Sequence, residues 1–159
     1  MKTLLVYYSH TGGCGIVAEQ IQEKMNATVL RLWLADEQNR TGFASYFWGG
    51  LQVLTHEKPA LQPYTIAPKK FDLIIIGTPV WAGSPAPALR TFLEKTPITG
   101  KKIALFCCYA GNKGKVFKKL EKLLPNNTFL SDIDFANVKT QSKETIEKSV
   151  NEWVKKIQR

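Results

Sequence analysis

Short, nearly continuous apolar runs alternate along this chain with stretches in which apolar positions recur every three or four residues. Lys2–Ser9 (KTLLVYYS) is almost entirely apolar, as a strand covered on both faces of a parallel sheet must be. Gly15–Met25 follows with Ile16/Val17, Ile21 and Met25 at helical spacing. Ala27–Leu34 reads as a second strand and Phe71–Thr78 (FDLIIIGT) as the third and strongest. Pro85–Lys95, with proline in its first turn, predicts a helix. Lys101–Tyr109 predicts a fourth strand and Lys113–Leu124 a basic helix stopped by Pro125. Thr128–Phe135 is a weaker fifth strand, and Ser142–Gln158 a closing helix. Strands alternating with helices predict an α/β fold, a three-layer doubly wound parallel sheet with right-handed crossovers.

The longest departure from this alternation is Asp36–Lys70. Within it Phe43, Tyr46/Phe47, Gly50/Leu51 and Leu54 form one apolar stripe, which predicts a helix over Thr41–Glu57 packed on the sheet. Trp48 falls off the stripe, where it could serve a partner or a second copy of the chain. The PALQPYTIAP stretch that follows reads as an extended loop, because proline breaks helix. No repeat or interdomain linker interrupts the pattern, so residues 1–159 are expected to form a single domain.

Composition narrows the class. At 159 residues, 44% hydrophobic and 22% charged, the chain has the make-up of a folded domain and not of a disordered or fibrous one. No apolar run reaches membrane-spanning length, and the N-terminal run lacks a signal-peptide cleavage pattern, so a cytoplasmic protein without membrane association is expected. Three cysteines and two histidines suit neither a disulfide framework nor a metal site. The net charge is +9, and residues 101–159 hold 13 of the 22 basic but only 6 of the 13 acidic side chains. Such an excess favours acidic partners. Lys113, Lys115, Lys118, Lys119 and Lys122 leave open a basic binding module for an acidic protein or nucleic acid, although no nucleic-acid motif is present.

The candidate chemistry sits where strands end. The first strand runs into Ser9-His10-Thr11-Gly12-Gly13-Cys14-Gly15 and then a helix. Unpaired N–H groups, the positive end of the helix dipole, close backbone approach at glycine and two hydroxyls make this a phosphate-binding arrangement. It is neither a Walker loop nor a G-x-G-x-x-G turn. A hydrolytic site is not in view: G-x-S-x-G is absent, and a phosphatase C-x5-R loop fails because Gln20 stands where the arginine belongs.

Leu5-Val6-Tyr7-x-Ser9-x-x-Gly12-x-Cys14-x-x-x-Ala18-x-x-Ile21 resembles the phosphate loop of flavodoxins. Gly77-Thr78-Pro79-Val80-Trp81-Ala82-Gly83-Ser84-Pro85, with the helix that follows, resembles the flavin loop of the flavodoxin-like family. The resemblance implies a five-stranded sheet of order 2-1-3-4-5 with FMN at the carboxyl ends of the strands. It implies that Ser9, His10, Thr11, Gly12, Gly13 and Cys14 hold the phosphate, and that Thr78, Pro79, Val80, Trp81, Ala82 and Gly83 lie beside the ribityl chain and ring. Tyr109, Ala110 and Gly111 would line the other side, with Trp81 as the stacking aromatic. Cys14 replaces the family's usual threonine; it is either a thiol activated by the helix start or a small residue that leaves binding to backbone N–H groups. The implied activity is electron transfer, or quinone or small-molecule reduction with NAD(P)H, through bound FMN. An acidic redox protein is a candidate partner, the oligomer is a monomer or homodimer, and scarce acidic side chains should raise the flavin potential.

Overall fold

The computed structural model describes residues 1–36 and 58–159. The helix expected over Thr41–Glu57, and Trp48 with it, lie outside the described residues. In chain order the elements are β1 (Thr3–Tyr8), α1 (Gly13–Met25), β2 (Thr28–Leu32), β3 (Leu73–Trp81), β4 (Ser84–Pro85), α2 (Pro87–Lys95), β5 (Lys102–Tyr109), α3 (Val116–Leu123), β6 (Thr128–Ala136) and α4 (Lys143–Ile157). The parallel strands lie in the order β2-β1-β3-β5-β6, and the two-residue β4 pairs antiparallel with the end of β3. Leaving β4 aside, this is the expected 2-1-3-4-5 order.

Side chains of a strand alternate between faces, so an uninterrupted apolar strand feeds two cores. Leu4, Val6 and Tyr8 join Ile74, Ile76, Ile103 and Leu105 beneath Leu89 and Phe92 of α2. Leu5 and Tyr7 join Ile75, Ala104 and Phe106 beneath Val17 and Ile21 of α1 and Ile146, Val150 and Trp153 of α4. The edge strand β6 buries only Phe135 fully, in keeping with its weaker pattern. The 59–68 stretch is extended as expected: Leu61 bridges Leu34, and the Tyr64 hydroxyl lies 2.7 Å from Thr96 Oγ1.

Four boundaries near the carboxyl end of the sheet differ from the sequence expectation. β3 continues past Thr78 to Trp81, because Val80 and Trp81 pair with Pro85 and Ser84 in a hairpin. The two turn residues, Ala82 (φ 49°) and Gly83 (φ 67°), both have positive φ, the twist that two-residue hairpins require. α2 therefore starts at Pro87 and not Pro85. α1 starts two residues early, at Gly13, and α3 starts at Val116 because Lys113–Lys115 form a turn.

Candidate functional site

At the carboxyl end of the sheet a cavity of about 390 Å3 opens between three walls. The first is the β1–α1 junction. Ser9 is buried, and its hydroxyl accepts a hydrogen bond from the Gly15 N–H at 3.2 Å, tying the end of β1 to the first turn of α1. Gly12 takes φ 96° as the N-cap and offers no side-chain acceptor, and its carbonyl accepts only from Ile16. The N–H groups of Gly13 and Cys14 thus have no acceptor among the described residues, and both residues line the cavity with Thr11. Two free donors at a dipole's positive end suit an anion.

The second wall is the β3–β4 hairpin. Pro79, Val80, Trp81 and Ala82 line the cavity. The indole is held edge-on by two rings, Tyr8 at 5.8 Å and His10 at 6.0 Å between centroids. Trp81 is therefore part of a strand with a packed orientation and does not sit in a free loop. His10, half-buried and in contact with that ring, is likewise more than an exposed loop histidine. Thr78 and Gly83 are placed differently from the expectation: neither lines the cavity. Thr78 is fully buried, its hydroxyl donating to the Pro79 carbonyl at 2.8 Å and accepting from the Ala86 N–H at 2.9 Å, so it locks the base of the hairpin. Gly83 packs instead against Gly114, on which a Cβ would lie 2.9 Å from the Gly83 Cα. Gly12, though outside the lining, shapes the loop through its φ.

The third wall is the end of β5, Cys108–Asn112, together with Asn137–Thr140 after β6. Tyr109 donates from its hydroxyl to Asp134 Oδ2 at 2.8 Å, and Lys113 Nζ donates to Asp134 Oδ1 at 2.6 Å. Burial opposes the charge on Asp134, but these two donors outweigh it and hold the carboxyl below its ordinary value. The same hydrogen bond raises the Tyr109 phenol, and Lys113 is raised as well. Lys119 of the basic helix donates to Ser84 Oγ at 2.6 Å. Two of the five clustered lysines thus brace the site's own walls.

Cys14 does not behave as an activated thiol. Burial pushes it well above the ordinary thiol value, and its hydrogen bond with Cys108 pushes the same way, overriding the helix start. Burial also raises Cys107. All three thiols are free. Cys108 and Asn112 flank the expected Tyr109–Gly111 in the lining, whereas Asn137–Thr140 complete it with no signal in their sequence, since they reach the site only through the β5–β6 pairing. Among the described residues the lining contains no carboxylate and no metal cluster is present, and no helix is long and apolar enough to cross a membrane.

The sheet order, with an open helix start facing an aromatic hairpin at the switch point, defines the flavodoxin-like class. Residues 1–131 match the model of the NADPH-dependent FMN reductase family, and the chain belongs to that FMN-binding family. No curated protein matches the chain in sequence. Among solved structures it is similar to a flavoprotein of Lactobacillus acidophilus in complex with FMN, at 21% identity and TM-score 0.74 over 96% of this chain and 98% of that one. It is also similar to the general stress protein 14 of Treponema denticola in complex with FMN (12%, TM-score 0.60, 99% and 98%). A Fusobacterium nucleatum flavodoxin bound to flavin mononucleotide has the same fold (13%, TM-score 0.59, 99% and 98%).

Proposed function

We propose that the protein is an FMN-dependent oxidoreductase that accepts electrons from NAD(P)H and passes them to a quinone or another small acceptor. The observation that carries this reading is the convergence of an open helix start, an oriented indole and a tyrosine on one cavity of about 390 Å3, within the usual range for a cofactor site. The residues fit the cofactor from end to end. Thr11 and the N–H groups of Gly13 and Cys14 would hold the phosphate, with Ser9 keeping the loop in shape. Pro79–Ala82 would border the ring, and Trp81 and Tyr109 would flank it and exclude water.

Bound FMN supplies the one- and two-electron chemistry. The protein contributes orientation and electrostatics. Trp81, braced by Tyr8 and His10, offers a fixed apolar surface, worth about 0.5–1.5 kcal/mol beyond burial in an aromatic pair. The lysines around the third wall would steer a polyanionic nucleotide, or an acidic protein, towards the opening.

The test is to titrate the purified protein with FMN and then follow NADPH and NADH oxidation with and without a quinone. Quenched flavin fluorescence and quinone-dependent nucleotide turnover are expected. A protein that stays colourless and quenches no FMN would overturn the reading. FMN binding without nucleotide oxidation would make it a carrier and remove the reductase step.

A further inference from the structure

We propose that Lys139 is a cationic clamp on the phosphate group of the bound flavin, so that this chain selects phosphorylated over unphosphorylated flavin by charge as well as by backbone donors. The inference rests on the FMN reading above and adds a residue that lies far from the phosphate loop in sequence.

Placement comes first. β6 is followed by a left-handed residue, Asn137 (φ 49°), whose N–H donates to the Tyr109 carbonyl at 2.8 Å. The following turn, Val138–Thr140, is closed by the Thr140 N–H on the Asn137 carbonyl at 3.0 Å and the Gln141 N–H on Val138 at 3.1 Å. Val138 is buried against the start of α1: a Cβ on Gly13 would meet the Val138 Cβ at 3.9 Å. This anchoring holds the next side chain over the phosphate loop. Lys139 Cε lies 3.8 Å from where a Gly12 Cβ would be, and Lys139 lines the same cavity as Thr11, Gly13 and Cys14.

Charge comes second. Ser9–Gly15 contains no lysine or arginine, so the loop offers a phosphate only hydroxyls, N–H groups and partial dipole charge. A phosphate monoester carries about −1.5 to −2 at neutral pH. Lys139 forms no ion pair among the described residues, and the described lining holds no carboxylate to compete for it. The lysine stem lies within van der Waals reach of the Gly12 position, so its ammonium group is carried to the loop itself.

The experiment compares FMN and riboflavin dissociation constants, by fluorescence quenching at low and high salt, for the wild type, Lys139→Gln, Lys139→Arg and the charge control Lys95→Gln at the far end of α2. Lys139→Gln is expected to weaken FMN about tenfold at low salt, the scale of one charge-assisted hydrogen bond, while riboflavin is unchanged. High salt should shrink that loss, Lys139→Arg should restore most of the affinity, and Lys95→Gln should bind as the wild type does. An equal loss for both ligands, or no loss for FMN, overturns the clamp; so does a rise in the KM for NADPH with unchanged FMN affinity, which would assign the lysine to the nucleotide. A wild type that binds neither flavin would instead sink the FMN reading itself. Thermal melts of Lys139→Gln should match the wild type, since the exposed side chain supports no core residue.

Discussion

The ring of Phe106 lies across the face of Gly77, its neighbour in the β3–β5 ladder: a Cβ on Gly77 would fall 2.0 Å from Phe106 Cζ. Both residues are fully buried just before the strand enters the β3–β4 hairpin. Gly77→Ala is therefore expected to destabilise the fold by about 1–3 kcal/mol, as overpacking does. Chemical denaturation should register that loss, and Phe106→Leu in the same chain should recover part of it. A Gly77→Ala protein as stable as the wild type would contradict the packing.

Ser9 and Thr11 occupy one loop but act differently. The Ser9 hydroxyl is committed to the Gly15 N–H, whereas Thr11 is exposed in the cavity lining. Thr11→Ala should weaken FMN several-fold with riboflavin and stability unchanged. Ser9→Ala should also lower stability, by about 1–3 kcal/mol, because it leaves a partly buried donor without its acceptor. Paired melting curves and flavin titrations distinguish the two, and identical profiles for both variants would refute the division of labour.

The Tyr109–Asp134–Lys113 group should mark the pH profile of stability. Asp134 is held below its ordinary value, so its contribution is present above about pH 4 and disappears as the pH falls through the folded-state value. Tyr109 and Lys113 are raised, so their contribution is lost only as the pH climbs past about 10. Asp134→Asn should thus be less stable than the wild type near neutrality and converge with it at both extremes. Partial exposure keeps the effect small. Denaturation midpoints from acid to alkaline pH test this, and a constant gap at all pH values would exclude the ionic origin.

The electrostatics of the lining bear on redox poise. Negative charge near a flavin penalises its reduced anion, and here the described lining carries Lys139 and no carboxylate. The potential for full reduction is expected to lie above that of acidic flavodoxins. Spectroelectrochemical titration of the FMN-loaded protein measures it directly, and a value as low as theirs would refute the expectation. Lys139→Glu should lower it.

Much of this molecule is local in origin. Uninterrupted apolar strands such as Leu73–Ile76 cannot face water on either side, and strands alternating with amphipathic helices leave little choice but a parallel sheet covered on both faces. The loop from Ser9 to Cys14 was equally legible, because glycines and hydroxyls between a strand and a helix start are a local arrangement. Where β3 ends was not, since Trp81 is held in the strand by pairing with Ser84 and by the rings of Tyr8 and His10. Nor was the fate of Cys14: a helix start alone would activate the thiol, but the core packed over it raises it instead. The residue pattern alone gave away the order of strands and helices, two walls of the cavity and the Tyr109–Gly111 part of the third. The rest of that wall depends on packing over distance, because Asn137–Thr140 reaches the Ser9–Cys14 loop through the β5–β6 ladder and the Asn137–Tyr109 hydrogen bond, contacts between segments that no local pattern brings together.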